Sequence, residues 1–231
     1  MPFFFFDPTM VILIPAILLA MYAQFKIKST FNKYLNIRAQ SGMTGAEVAR
    51  ELLRKEGIFD VSVQRTSGSL SDHYDPRNKV LKLSPEVYDG SSVASLGVAA
   101  HETGHAIQDA VSYTPLRLRH SLVPVANFGS QFGLFIGVFG FFFFRSELIV
   151  SLGILLFTGA VLFQIVTLPV EFNASSRALK LLKKHNYLNS KQVAGTKKVL
   201  NAAALTYVAA ALVSIGHLVR LLVMRGMLDD D

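Results

Sequence analysis

His101, Glu102, Thr103, Gly104 and His105 form an H-E-x-x-H run. On a helix, side chains four residues apart lie one above the other, so two imidazoles can reach one metal ion. The glutamate between them then stands beside the open coordination position, where it can take a proton from an attacking water. The run before the motif, residues 91–100, begins with N-cap types and continues with small apolar residues. That predicts a buried helix that other elements can approach closely. The chemistry these residues point to is metal-assisted attack of water on an amide, with His101 and His105 as ligands and Glu102 as the catalytic base. A surface helix that happens to carry the same residues is the plain alternative, and the small apolar approach to the motif argues against it.

Two histidines do not complete a catalytic zinc site; a third protein ligand is needed. The chain has no Cys, which removes thiolate ligands and disulfides. The extended H-E-x-x-H-x-x-G-x-x-H pattern fails, because Gln108 and Val111 stand where its Gly and last His belong. The inverted H-x-x-E-H order is absent as well. A glutamate from a separate helix remains. Which glutamate depends on how the chain crosses a membrane.

Just over half of the 231 residues, 51%, are hydrophobic. Four apolar runs approach the ~20 residues that span a bilayer: residues 9–25, 122–144, 148–170 and 200–219. The first is the shortest and the fourth the most polar. Lys26 and Lys28 follow the first run instead of preceding it, which reads as an uncleaved anchor, with the phenylalanines of residues 3–6 at the interface. Basic residues cluster after the first run, before the second, and between the third and fourth. By the positive-inside rule, residues 26–121 and 171–198 are cytoplasmic. The net charge of +7 is explained by this topology and needs no nucleic-acid partner. Arg220 and Arg225 fall on the wrong side, and the acidic tail, residues 229–231, counts little in the rule. Full crossing by the fourth run is therefore left open.

This topology returns Glu171 to the side that holds His101 and His105, and it leaves Glu147 on the other. Glu171 is the candidate third metal ligand; the alternative is an interfacial carboxylate paired with a basic neighbour. Ala174, Ser175 and Ala178 share its helix face and would let that helix lie close to the motif helix. Asn173 or Ser175 can hydrogen-bond a ligand from behind. His73 and Tyr74, in the turn of residues 72–76, are candidates for contact with substrate or an oxyanion, and so is Tyr207 in the fourth run. Thr44 and Glu47 form a capping box, and Gly57 ends the helix they start. Residues 61–63 and 80–83 alternate like short strands. The second is the candidate edge strand for pairing with a substrate backbone.

These motifs together bring a known family into view. Residues 98–108 around the H-E-x-x-H run, Asp72-His73-Tyr74-Asp75-Pro76 upstream and Pro169-Val170-Glu171-Phe172-Asn173-Ala174-Ser175 downstream resemble the YugP-like family of bacterial membrane zinc metallopeptidases. The resemblance covers nearly the whole chain. It implies a neutral zinc-dependent peptidase of the inner or plasma membrane, with His101 and His105 as ligands and Glu102 as catalytic. A more distant likeness is to membrane gluzincins such as the CAAX prenyl protease, whose third ligand begins an E-x-x-A-D run. Here the run from Glu171 ends in Ser175, so the ligand carries over and the aspartate does not.

The expected architecture is a mainly α membrane protein with about four transmembrane helices and a small α+β, zincin-like cytoplasmic domain. Its parts are an anchor (1–25), the α+β domain with the zinc-binding helix (26–121), a transmembrane hairpin (122–170), a cytoplasmic helix with the third ligand (171–198) and a C-terminal membrane helix and tail (199–231). The expected function is that of a multi-pass zinc endopeptidase with one Zn²⁺ per chain, acting on protein or peptide substrates at the cytoplasmic face of the bilayer. The alternative is a zinc-stabilised membrane scaffold or adaptor with little turnover.

Overall fold

The computed structural model describes residues 7–229, so the expectations for residues 3–6 and for Asp230 and Asp231 lie outside the described residues. The chain is mainly helical, with one small sheet. In order come α1 (Ile14–Leu35), α2 (Gly45–Lys55), β1 (Ser62–Arg65), β2 (His73–Asp75), β3 (Val80–Leu83) and α3 (Pro85–Tyr88). Then follow α4 (Val93–Ala110), α5 (Thr114–Phe128), α6 (Leu134–Phe139), α7 (Glu147–Lys184) and α8 (Ser190–Asp229). Four helical stretches are long and apolar enough to cross a membrane: Pro8–Leu35, Thr114–Phe144, Glu147–Lys184 and Ser190–Leu228. The fourth, which Arg220 and Arg225 put in question by the charge rule, is long and apolar enough to cross. Two compact units share the chain: one takes in residues up to Ala23, Leu118–Leu168 and from Thr206 onward, the other Gln24–Arg117 and Pro169–Leu205.

In the first unit, α5 and α6 form one helical run through two π-helical turns, Gly129–Gly133 and Gly140–Phe144. Glycine is required there because backbone meets backbone. A Cβ on Gly129 would stand 2.2 Å from the Leu156 carbonyl oxygen, and one on Gly133 would stand 2.6 Å from the Phe157 nitrogen of α7. Small residues that let helix backbones approach are the usual packing device where lipid removes the hydrophobic drive between helices. The same unit holds the two arginines that run against the charge rule. Arg220 is buried, and its Nε donates to Asp7 Oδ2 and to Thr9 Oγ1, both at 3.0 Å. Arg225 Nε donates to Glu147 Oε1 at 3.0 Å. Each of these cations is neutralised by a carboxylate.

The second unit packs α2, α4 and the sheet around a core that includes Leu52, Leu81, Leu83, Val87 and Leu96. The capping box at the start of α2 is present: Thr44 N donates to Glu47 Oε2 at 2.7 Å, and Glu47 N donates to Thr44 Oγ1 at 3.2 Å. Gly57 follows α2 with φ +73°, a left-handed conformation that glycine adopts without strain. The sheet order is β1-β3-β2, with β1 parallel and β2 antiparallel to β3. This corrects the expectation for residues 80–83. That strand is central and hydrogen-bonded on both sides, and Leu81 and Leu83 are buried. The strand beside α4 that keeps one free edge is β2, in the segment read from sequence as a turn. The turn lies just beyond it, where Asp75 Oδ1 accepts from the backbone nitrogens of Arg77 (3.0 Å) and Asn78 (3.3 Å).

Residues 171–198 are the end of α7, a turn and the start of α8, not a separate helix. Glu171 thus stands on the same helix as the third apolar run.

Candidate metal centre

The H-E-x-x-H residues lie on α4, whose N-cap Ser92 accepts from Ser95 N at 3.0 Å. The helix is buried nearly all round, as its small apolar approach predicts. That burial lets α7 lie directly against it. A Cβ on Gly104, inside the motif, would meet the Ala174 carbonyl oxygen at 2.8 Å and the Ala174 Cα at 3.1 Å. Only a glycine admits α7 to this depth, and the consequence is that Glu171, one turn before Ser175, faces the two histidines.

Among the described residues, His101, His105 and Glu171 form a buried group able to hold a metal ion. The nitrogens His101 Nε2 and His105 Nε2 are 3.2 Å apart. Glu171 Oε2 is 3.3 Å from the first and 3.6 Å from the second. Tetrahedral zinc with bonds of about 2.0–2.2 Å puts neighbouring ligand atoms about 3.4 Å apart. The three spacings bracket that figure. Two imidazole nitrogens and a carboxylate oxygen are also a donor set that zinc favours. The residues present therefore fit the ion.

Both histidines are held from behind. His101 Nδ1 is 3.1 Å from Ser175 Oγ, and His105 Nδ1 is 3.0 Å from Gln108 Oε1. Burial works against the charged form of His105, but the carboxylates of Glu171 and Glu102 outweigh it and raise its pKa above the ordinary histidine value. Glu102 follows His101 on α4 and is 8% exposed, so it sits within the protein wall and not on its surface.

Ser175 touches His101 directly. Asn173 is one step further back: its Oδ1 accepts from Gln108 Nε2 at 3.0 Å and from Arg177 Nε at 2.7 Å. His73, exposed on β2, donates from Nδ1 to the Ser71 carbonyl at 2.8 Å. The Tyr74 hydroxyl donates to Asp109 Oδ2 at 2.8 Å, and Lys79 Nζ reaches the same oxygen at 2.7 Å. Tyr74 is thus engaged in a salt-bridged corner, not with His101, His105 or Glu171. Tyr207 lies on α8 in the first unit, half-buried.

Three residues of this region escaped the sequence reading. Gln108 sits three residues after His105 on the same helix face, a spacing that signals contact. Gly104 has no signal in a motif that tolerates any residue there. Asp72, read as a turn residue, accepts from Ser84 N at 2.7 Å and from Ser84 Oγ at 3.0 Å. Burial pushes its carboxyl up to about 6 against these bonds, and the negative charge of Glu102 adds to the rise. No sequence signal places Asp72 within reach of Glu102.

Four membrane-length helices and a buried His–His–Glu donor set define a class: a membrane protein with a site for a divalent metal ion. The chain belongs to the family described as "putative neutral zinc metallopeptidase", whose profile matches residues 9–226. It is 49% identical over 207 residues to the "putative membrane protease YugP" of Bacillus subtilis (strain 168), covering 90% of this chain and 92% of that one. No solved structure matches the chain.

Proposed function

We propose that this protein is a membrane-integrated zinc endopeptidase whose site is formed by His101, His105 and Glu171, with Glu102 as general base. The observation that carries the reading is the convergence of three buried ligand atoms at 3.2, 3.3 and 3.6 Å, with Glu102 next to the first ligand on a helix that α7 closes from behind. Zinc bound by His101, His105 and Glu171 would supply a water made nucleophilic near neutral pH and a Lewis acid for the carbonyl. Glu102 takes the proton released as water adds to the scissile carbonyl carbon. It delivers that proton to the amide nitrogen as the C–N bond breaks, and the second proton of the water passes from the new carboxyl group to the amine, giving a carboxylate and an ammonium. His101 and His105 are held in line through their bonds to Ser175 and Gln108. We place the substrate backbone along the free edge of β2, which packs beside α4.

We place the site at the cytoplasmic face of a bacterial inner or plasma membrane, with membrane-associated proteins or peptides as substrates. The distribution of Lys and Arg supports this side; Arg220 and Arg225 run against it, and they are paired with Asp7 and Glu147. A zinc-stabilised scaffold is disfavoured by the donor set: structural zinc sites are usually closed by four protein ligands, and among the described residues three come together here, with the buried Glu102 alongside.

The test compares wild type with Glu102→Gln in detergent, against casein and against a membrane proteome. Wild type should cleave, lose activity to a chelator and regain it with zinc. Glu102→Gln should bind zinc equally and lose about 10²- to 10⁴-fold in rate. Full proteolysis by Glu102→Gln would refute the mechanism.

A further inference from the structure

Gln108 is fully buried, with 0% of its surface exposed, although its amide has two donors and an acceptor to satisfy. All are engaged. Its Nε2 donates to the Val170 carbonyl at 2.8 Å and to Asn173 Oδ1 at 3.0 Å, and its Oε1 lies 3.0 Å from His105 Nδ1.

The direction of each bond in this chain follows from its ends. The Val170 carbonyl can only accept, and the Arg177 guanidinium can only donate. Arg177 Nε, at 2.7 Å, therefore fixes which Asn173 atom is oxygen. Asn173 Oδ1 and Val170 O together fix which Gln108 atom is nitrogen. The Gln108 oxygen is left facing His105, so His105 Nδ1 must carry the proton and donate it. A neutral imidazole protonated at Nδ1 has its one free lone pair at Nε2, the atom that faces His101 Nε2 and Glu171 Oε2.

On the metal-site reading above, we infer that Gln108 is a positioning residue: it locks His105 as the Nδ1–H tautomer and aims its Nε2 lone pair at the metal. The lock is set by two groups on α7, a backbone carbonyl and an arginine, neither of which touches a ligand. His101 has no comparable lock, because the Ser175 hydroxyl 3.1 Å from its Nδ1 can rotate to donate or accept. The two histidines are thus wired differently. His105 is prepared for the ion in advance, and His101 adapts to it. The same amide ties α4 to α7, so the tautomer is correct only when the helix that carries Glu171 is docked.

The test uses the full chain in detergent with ¹⁵N-labelled histidine, as wild type, Gln108→Met and Gln108→Glu. The ¹⁵N shifts report the tautomer of His105, and chelator competition reports zinc affinity. Wild type without zinc should show His105 protonated at Nδ1. Gln108→Met, which keeps the shape and loses the acceptor, should move toward the Nε2–H form and bind zinc about 10- to 100-fold more weakly. Gln108→Glu, which keeps an acceptor, should hold the Nδ1–H form and stay within a few-fold of wild-type affinity. A residue that only ties two helices together would lower thermal stability in both variants and leave the tautomer unchanged; that result overturns the proposal. An Nε2–H tautomer in wild type also overturns it, and decides the matter even if Gln108→Met fails to fold. If wild type binds no zinc, the peptidase reading falls, while the zinc-free tautomer still decides the role of Gln108.

Discussion

Gly104 and Ala174 touch so closely that a Cβ on Gly104 would stand 2.8 Å from the Ala174 carbonyl oxygen. The obstacle would be backbone, which cannot rotate away as a side chain can. Gly104→Ala should push α7 off α4, carrying Glu171 away from the histidines. The expected cost is about 1–3 kcal/mol of stability, together with a clear loss of zinc affinity, read by thermal unfolding and chelator competition. Wild-type zinc affinity in Gly104→Ala would mean that the close approach does not position the third ligand.

Glu171→Ala should lower bound zinc from one per chain to well below one after dialysis, while the apolar face of α7 keeps its packing. Metal analysis beside a circular-dichroism spectrum separates ligand loss from unfolding. Stoichiometric zinc in this variant would remove Glu171 from the site.

Arg220 and Asp7 are a buried pair, with side chains only 8% and 12% exposed. Removing one partner leaves the other charge unpaired in a poor solvent for it. Arg220→Met should cost about 3–5 kcal/mol, and the double change with Asp7→Asn should cost clearly less. Thermal midpoints in one detergent measure both. A double variant as unstable as the sum of the singles would show that the two residues do not act as a pair.

Asp72 provides a pH-dependent signature. Its folded-state pKa of about 6 lies above the ordinary aspartate value of 3.8, so the folded protein holds this proton more tightly than the unfolded chain does. The buried carboxylate is therefore a cost that is fully present above pH 6 and fades as pH falls toward 4. Asp72→Asn keeps an acceptor for Ser84 N and removes the charge. In zinc-free protein it should raise the thermal midpoint at pH 7.5, with the gain shrinking toward pH 4. A gain that does not change with pH would rule out ionisation of Asp72 as its source.

Much of this was legible in sequence because it depends on local spacing. Two histidines four apart meet on any helix, and the Thr44–Glu47 cap needs only its own turn. The positions of the apolar runs follow from bilayer thickness. What was misread depends on partners distant in the chain. Residues 80–83 look like an edge strand until β1 and β2 pair with both of their sides. Arg220 looks misplaced until Asp7, at the far end of the chain, neutralises it. Asp72 looks like a turn residue until Ser84 binds it and Glu102 comes near.

The sequence by itself determined the chemistry: the residue types, the helical spacing of His101 and His105, and the apolar lengths that a membrane requires. Tertiary structure decided the geometry. Glu171 joins the histidines only because the α7 backbone can lie against Gly104, and Gln108 orients His105 only because Val170 and Asn173 receive its amide. Periodicity along one helix is written in the order of residues, whereas the contact of two helices is a property of the packed pair.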